Sequence, residues 1–197
     1  MNDIVEKGLE AILPVYIKDI GNCTIIFTKE DEVILEKTIK TVITNLCKYY
    51  HLDLKASNKT YGNLLTNKKH TPIPLTYNQI FIPIKTRKPI AKHDGAYGYV
   101  NIDSIKSISV SNTKNNCLIY ISNNRVIEVY SKLCTIQRNI NNGGIVKRLL
   151  KRNNLINDVD NLYIAEDTLA TKKDIAMVYR EIMEIKKYYN KKIPPGR

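Results

Sequence analysis

Apolar positions along the chain change period several times, and each change marks an element. Leu13 to Ile20 is mostly apolar and runs into Gly21-Asn22, which reads as a strand and a turn. Cys23 to Thr28 (CTIIFT) is rich in β-branched residues and reads as a second strand. Lys29-Glu30-Asp31-Glu32 is a polar connection, and Val33 to Glu36 is the return strand, so the chain opens on a hairpin or meander. From Thr38 to Tyr50 the period becomes helical: Ile39, Val42, Ile43, Leu46 and Tyr50 recur every three or four residues and make one face. Lys40 and Lys48 fall off that face. Leu52 to Lys69 has no clear period and reads as a polar loop with a turn at Tyr61-Gly62-Asn63.

Residues 70–105 follow a strand pattern broken by turn residues. Pro72 and Pro74 favour extended backbone before them, Tyr77-Asn78 reads as a turn, and Gln79 to Ile84 is an apolar strand. Pro83 predicts that this strand ends there or lies on a sheet edge. The basic run Lys85-Thr86-Arg87-Lys88 follows, then a turn at His93-Asp94-Gly95 and a strand from Tyr97 to Asn101. Ile105 to Ser111 alternates apolar and polar, as a half-buried strand does. After a loop at Asn112 to Asn116, Cys117 to Ile121 and Val126 to Tyr130 form a hairpin with Arg125 at its tip. Ser131 to Ile140 is helical, Asn141-Asn142-Gly143-Gly144 breaks it, and Ile145 to Arg152 is a short basic helix. Asn153 to Asp167 reads as a connection. Thr171-Lys172-Lys173-Asp174 resembles a capping box and opens the longest helix, Lys172 to about Tyr189, with the stripe Ile175, Val178, Tyr179, Ile182, Ile185 and Tyr189. That stripe suits docking to the body of the protein or to a second subunit. The tail KKIPPGR reads as frayed. The whole is α+β: a mainly antiparallel β-sheet core, a helix at about 38–50, and C-terminal helices.

Composition narrows the function. No run of about twenty apolar residues spans a membrane, and the acidic, polar start MNDIVEKGLE is not a secretory signal, so a cytoplasmic protein is expected. Cys23, Cys47, Cys117 and Cys134 are far apart, as are His51, His70 and His93, so buried reduced thiols and no metal or other cofactor are expected. The formal net charge is +12. It is concentrated: residues 37–92 carry eleven Lys or Arg and one acid, whereas residues 1–36 carry three Lys and eight acids. Such a basic middle attracts polyanions, nucleic acid first among them.

The candidate contacts follow from that charge. Lys55, Lys59, Lys68 and Lys69 lie among Ser, Thr and Asn, a mixture that donates to phosphates and equally makes a solvated loop. Lys85, Arg87, Lys88 and Lys92 sit on or beside the loop between two strands, and Arg125 at a hairpin tip either enters a groove or stays a solvated charge. The acidic cluster Asp158, Asp160, Glu166 and Asp167 either binds a cation or is a solvated loop. No catalytic constellation stands out. His93-Asp94 is the nearest to one, which leaves a nuclease as a minor alternative to a nucleic-acid binder.

The run from Cys47-Lys48-Tyr49-Tyr50, through His70-Thr71-Pro72-Ile73 and Ile80-Phe81-Ile82-Pro83-Ile84-Lys85-Thr86, to Tyr99-Val100-Asn101 and Ile105 resembles the ComK family of bacterial competence transcription factors over residues 37 to about 140. His51 stands where the family usually has Gly, Ala56-Ser57 where it has a Gly-Arg step, Tyr99 where it has Trp, and Ile84 where it has Thr, so the chain resembles a divergent member. The resemblance implies an activator that binds AT-rich double-stranded DNA through the minor groove as a homo-oligomer and turns on DNA-uptake genes. It also implies dealings with RNA polymerase and with an adaptor-guided protease, and no membrane partner. Residues 1–141 would then be a β-rich DNA-binding domain and 142–197 a helical extension. Lys or Arg inserted in a narrow A·T minor groove suits Arg87, Lys88 and Arg125, with the lysines on the backbone. A general RNA-binding or single-strand-binding module is the other class that basic surface and tyrosines serve.

Overall fold

The computed structural model describes residues 2–65, 70–89, 94–111, 116–164, 175–183 and 186, with backbone alone over 153–164. In chain order the elements are α1 (Asn2–Glu6), β1 (Leu9–Ile17), β2 (Gly21–Thr28), β3 (Glu32–Leu35), α2 (Ile39–Tyr49), α3 (Leu54–Leu64), β4 (Ile73–Thr76), β5 (Gln79–Lys85), β6 (Tyr97–Asn101), a 3-10 turn (Ile102–Ser104), β7 (Ser107–Val110), β8 (Cys117–Tyr120), β9 (Val126–Val129) and α4 (Leu133–Ile164). The chain divides into two compact units, Met1–Asn153 and Asn154–Arg197. The first is α+β: a six-stranded antiparallel sheet in the order β3-β2-β1-β6-β5-β4 and a three-stranded sheet β7-β8-β9.

The large sheet is buried on both faces. On one, α2 lays Ile39, Val42, Ile43, Leu46 and Cys47 over Ile12, Ile26 and Phe81. On the other, Ala11, Leu13, Ile82, Ile84 and Val100 meet Cys117, Ile119, Ile121, Ile127 and Val129 of the small sheet, with Ile136 of α4. This is why Ala11 to Ile17 of β1 and Ile80 to Ile84 of β5 are continuous apolar runs rather than alternating ones: neighbouring residues serve opposite cores. Each fully buried Ile, Leu or Phe contributes about 1.5–3 kcal/mol. A register shift between Leu9 and Ala11 restores the parity that lets Leu9 join Ile12 on the α2 face.

Four local expectations are corrected. Within the stretch expected to be a polar loop, Leu54–Leu64 is the helix α3. Asp53 starts it by accepting the backbone N–H groups of Lys55 and Ala56, at 2.8 and 3.1 Å. Its only buried residues are Ser57 and Gly62, so the apolar stripe that betrays most helices is nearly missing. Second, Pro83 does not end β5, which runs on to Lys85 in a sheet where β6 and β4 flank it, but at Pro83 itself only β6 is paired, so the proline sits at a local edge. Pairing with β4 stops at Phe81, and the Pro83 carbonyl turns away from β6 to accept from Asn139 of α4 at 2.8 Å. The proline nitrogen points the same way, so no ladder hydrogen bond is lost.

Third, Asn141-Asn142-Gly143-Gly144 does not break the helix. α4 runs through it and on past Asn153 to Ile164, where a connection was expected. A Cβ on Gly143 would lie 2.8 Å from both Ile82 Cγ2 and Ile102 Cγ2, so the glycine is where the helix comes closest to β5. The boundary expected between 141 and 142 thus falls within α4. Fourth, the thiols are free, but only Cys23, Cys47 and Cys117 are buried and Cys134 is exposed. The N-terminal meander, the Tyr77-Asn78 turn, β6 and the β8–β9 hairpin agree with the sequence reading, with β1 beginning earlier, at Leu9.

Candidate nucleic-acid interface

The outer face of α2 begins the site. Burial of Ile39, Val42, Ile43 and Leu46 turns Lys40, Thr44 and Lys48 outward, four residues apart on one face. Thr38 caps the helix, accepting the Thr41 N–H at 3.4 Å. At the other end His51 takes a left-handed conformation (φ 51°), with its N–H donating to the Lys48 carbonyl and that of Leu52 to the Cys47 carbonyl. This is a Schellman closure, which normally uses glycine, and it turns the chain so that α3 begins beside α2.

The turn opens a cleft of about 770 Å³, lined by Lys40, Thr44 and Lys48 of α2, by Asp53 and Lys55 at the start of α3, and by His70, Tyr97 and Tyr99 opposite. The His70 and Tyr97 rings stack, centroids 3.9 Å apart and planes 20° apart. Burial pushes the Tyr99 hydroxyl above its ordinary range, with Cys47 adding to it. Among the described residues, Lys37, Lys40, Lys48, Lys55, Lys59, Lys85 and Lys88 make no ion pair, the pairs being Lys7–Asp31, Arg125–Glu10 and Lys147–Asp103. None of these seven lysines pairs with a described acid of residues 1–36. Lys59 is exposed one turn beyond Lys55 on α3.

The Lys85–Lys88 segment adds a second set of cations. Lys88 is exposed, its Nζ 5.8 Å from the centre of the Tyr130 ring, and the Lys85 carbonyl accepts from the Tyr130 N–H at 2.7 Å. Arg87 is held more firmly. Its Nε donates to the Gly95 carbonyl at 2.7 Å and its Nη2 to Asn22 Oδ1 at 2.6 Å, while Nη1 is buried without a hydrogen-bond partner. Arg87 shares a smaller pocket of about 250 Å³ with Thr38 and Lys40, which joins this loop to the start of α2.

Arg125 lies elsewhere. Its Nη1 donates to the Thr28 carbonyl and stands 3.5 Å from Glu10 Oε2, with the guanidinium 5.2 Å from the Phe27 ring centre. Arg87 holds Asn22 and Arg125 holds Thr28, near opposite ends of β2. Six residues of strand separate them by about 20 Å. The hairpin-tip arginine is thus bound to the core and is not a free cation beside Arg87. Lys68, Lys69 and Lys92 lie outside the described residues, as do His93, Glu166, Asp167, Thr171 and the tail. Sequence reasoning missed Lys40 and Lys48 as site residues. Their spacing opposite the apolar stripe was the available signal, but nothing in it says that a cleft lies beneath them.

Among models of known protein families, the one described as ComK protein matches residues 2–152. Searches of curated proteins and of solved structures gave no match. No helix among the described residues is long and apolar enough to cross a membrane, and no three His, Cys, Asp or Glu come together there as a metal site would need.

Proposed function

Since the chain belongs to the ComK family, a family of competence transcription factors, we propose that it is a cytoplasmic activator that grips AT-rich duplex DNA through the minor groove, as an oligomer, and turns on DNA-uptake genes. The observation that carries the reading is the row of lysines on one cleft that make no ion pair among the described residues: Lys40, Lys48 and Lys55, with Lys59 a turn further on. They serve the phosphate backbone, adding affinity without reading sequence. Lys88, exposed on a loop tied down by Arg87, is the cation for the groove, whose width in A·T tracts suits an inserted Lys or Arg. Arg87 positions that loop. Lys85 stands beside it, and Lys68, Lys69 and Lys92 extend the basic surface in sequence. Arg125 has no part in contact, because its charge faces Glu10. RNA polymerase and an adaptor-guided protease are the further partners that membership of the family suggests.

The stacked His70–Tyr97 pair beside lysines favours a second reading, a single-strand or RNA binder in which bases stack on that pair. Selection of bound duplexes from a random DNA pool tests the first. Recovery of AT-rich sites at a regular spacing is expected. A pool that stays random, or one outcompeted by an equal mass of single strands, overturns it in favour of the second.

A further inference from the structure

The cleft beside α2 holds more than a DNA backbone can use. Beneath the lysines its lining is apolar: Ile39, Ile43 and Cys47 of α2, Leu52 and Leu54 at the entry to α3, and Tyr99 of β6. A phosphate backbone needs only the lysines. At about 770 Å³ the cleft has the size of a small-molecule site, in which an apolar lining is joined to a few placed polar groups. Its far wall adds the stacked His70 and Tyr97 rings, with His70 exposed, and planar bases stack on such rings. Lys40 and Lys48 stand eight residues apart on α2, about 12 Å along its axis, so a chain of phosphates spans them better than a single one. The two carboxylates on the cleft are engaged: Asp53 accepts from the Lys55 and Ala56 N–H groups, and Asp94 from Asn22 Nδ2 at 2.8 Å. A fatty acid would bring one charge to three lysines, and an acidic peptide would leave the stacked rings without a use.

We propose that the cleft binds a nucleoside di- or triphosphate. Its base lies against the His70–Tyr97 pair, its sugar over the apolar floor, and its phosphates on Lys40, Lys48 and Lys55. Those lysines are the ones given to DNA phosphates in the reading above, and the consequence rests on that reading: nucleotide and duplex exclude each other, so free nucleotide lowers DNA binding.

The test is equilibrium dialysis of the full chain against labelled ATP, without DNA. ATP should bind at one site per chain, and inorganic triphosphate, which has the charge but no base, should bind about tenfold more weakly or worse. His70→Ala, shown by circular dichroism to be folded, should weaken ATP binding about fivefold or more and triphosphate binding much less. In a gel-shift titration, saturating ATP should raise the apparent Kd for duplex DNA beyond the effect of triphosphate at the same ionic strength. Triphosphate that binds as tightly as ATP overturns the proposal, because charge alone then explains the binding. So does ATP that binds without weakening the duplex. A single-stranded oligonucleotide, or an acidic peptide carrying apolar residues, that displaces ATP at about a hundredth of its concentration also overturns it, and assigns the cleft to that occupant. A chain that binds ATP in this way but no duplex sinks the reading above and leaves the nucleotide site standing.

Discussion

Glu10 is 2 % exposed, accepts a hydrogen bond from the Ser122 hydroxyl, and has one oxygen whose sole charged neighbour among the described residues is Arg125. Burial makes this pair asymmetric: together the charges roughly compensate, but one alone inside is costly. Arg125→Ala should therefore destabilise the fold by about 3–5 kcal/mol, read by urea unfolding, while DNA affinity per folded molecule stays the same. The loop cations separate the same way. Arg87→Ala removes two hydrogen bonds to Asn22 and Gly95 and should cost about 1–3 kcal/mol. Lys88→Ala should change stability by less than about 0.5 kcal/mol and weaken duplex binding in a gel-shift titration. From sequence, Arg87 and Lys88 look like equal members of one basic run. What distinguishes them is that Arg87 finds a hydrogen-bond partner 65 residues away whereas Lys88 only lies over the Tyr130 ring, and a run of letters carries no trace of that.

Helix ends and helix contacts decide the element scale. His51 closes α2 at φ 51°, where any residue with a Cβ is strained and where the resemblance expects glycine. His51→Gly should raise stability by about 1 kcal/mol, measured by thermal unfolding. The same melting experiment reads the adjacent glycines of α4. A Cβ at Gly144 meets nothing within 4 Å, so Gly144→Ala should gain up to about 1 kcal/mol of helix propensity. Gly143→Ala should lose about 1–3 kcal/mol, because its Cβ would press on Ile82 and Ile102. Equal effects from both would mean that the helix does not lie against β5 as described. The two-glycine step looked like a helix breaker because local propensity was weighed alone. Packing of Ile136, Asn139, Gly143 and Val146 against the sheet outweighs it.

For the molecule as a whole, binding should weaken steeply with salt, as counterion release requires. Replacing Lys40, Lys48 and Lys55 together by Ala should lower the slope of log K against log salt by about 2–3, with little change in base preference. An unchanged slope would remove the cleft from the interface. What the sequence by itself determined is the local and the global average: strands where β-branched residues run together, α2 where the period becomes helical, and a basic middle beneath an acidic start. Each of these depends on near neighbours or on a sum over residues, and both can be read along a line. Tertiary structure alone decided which charges remain free. It brought Asn22 to Arg87 and Glu10 to Arg125, left the α2 lysines over a cleft with no ion pair among the described residues, and carried α4 through two glycines. Those outcomes turn on contacts between residues tens of positions apart. Burial there changes the value of a charge or a missing side chain far more than its identity does.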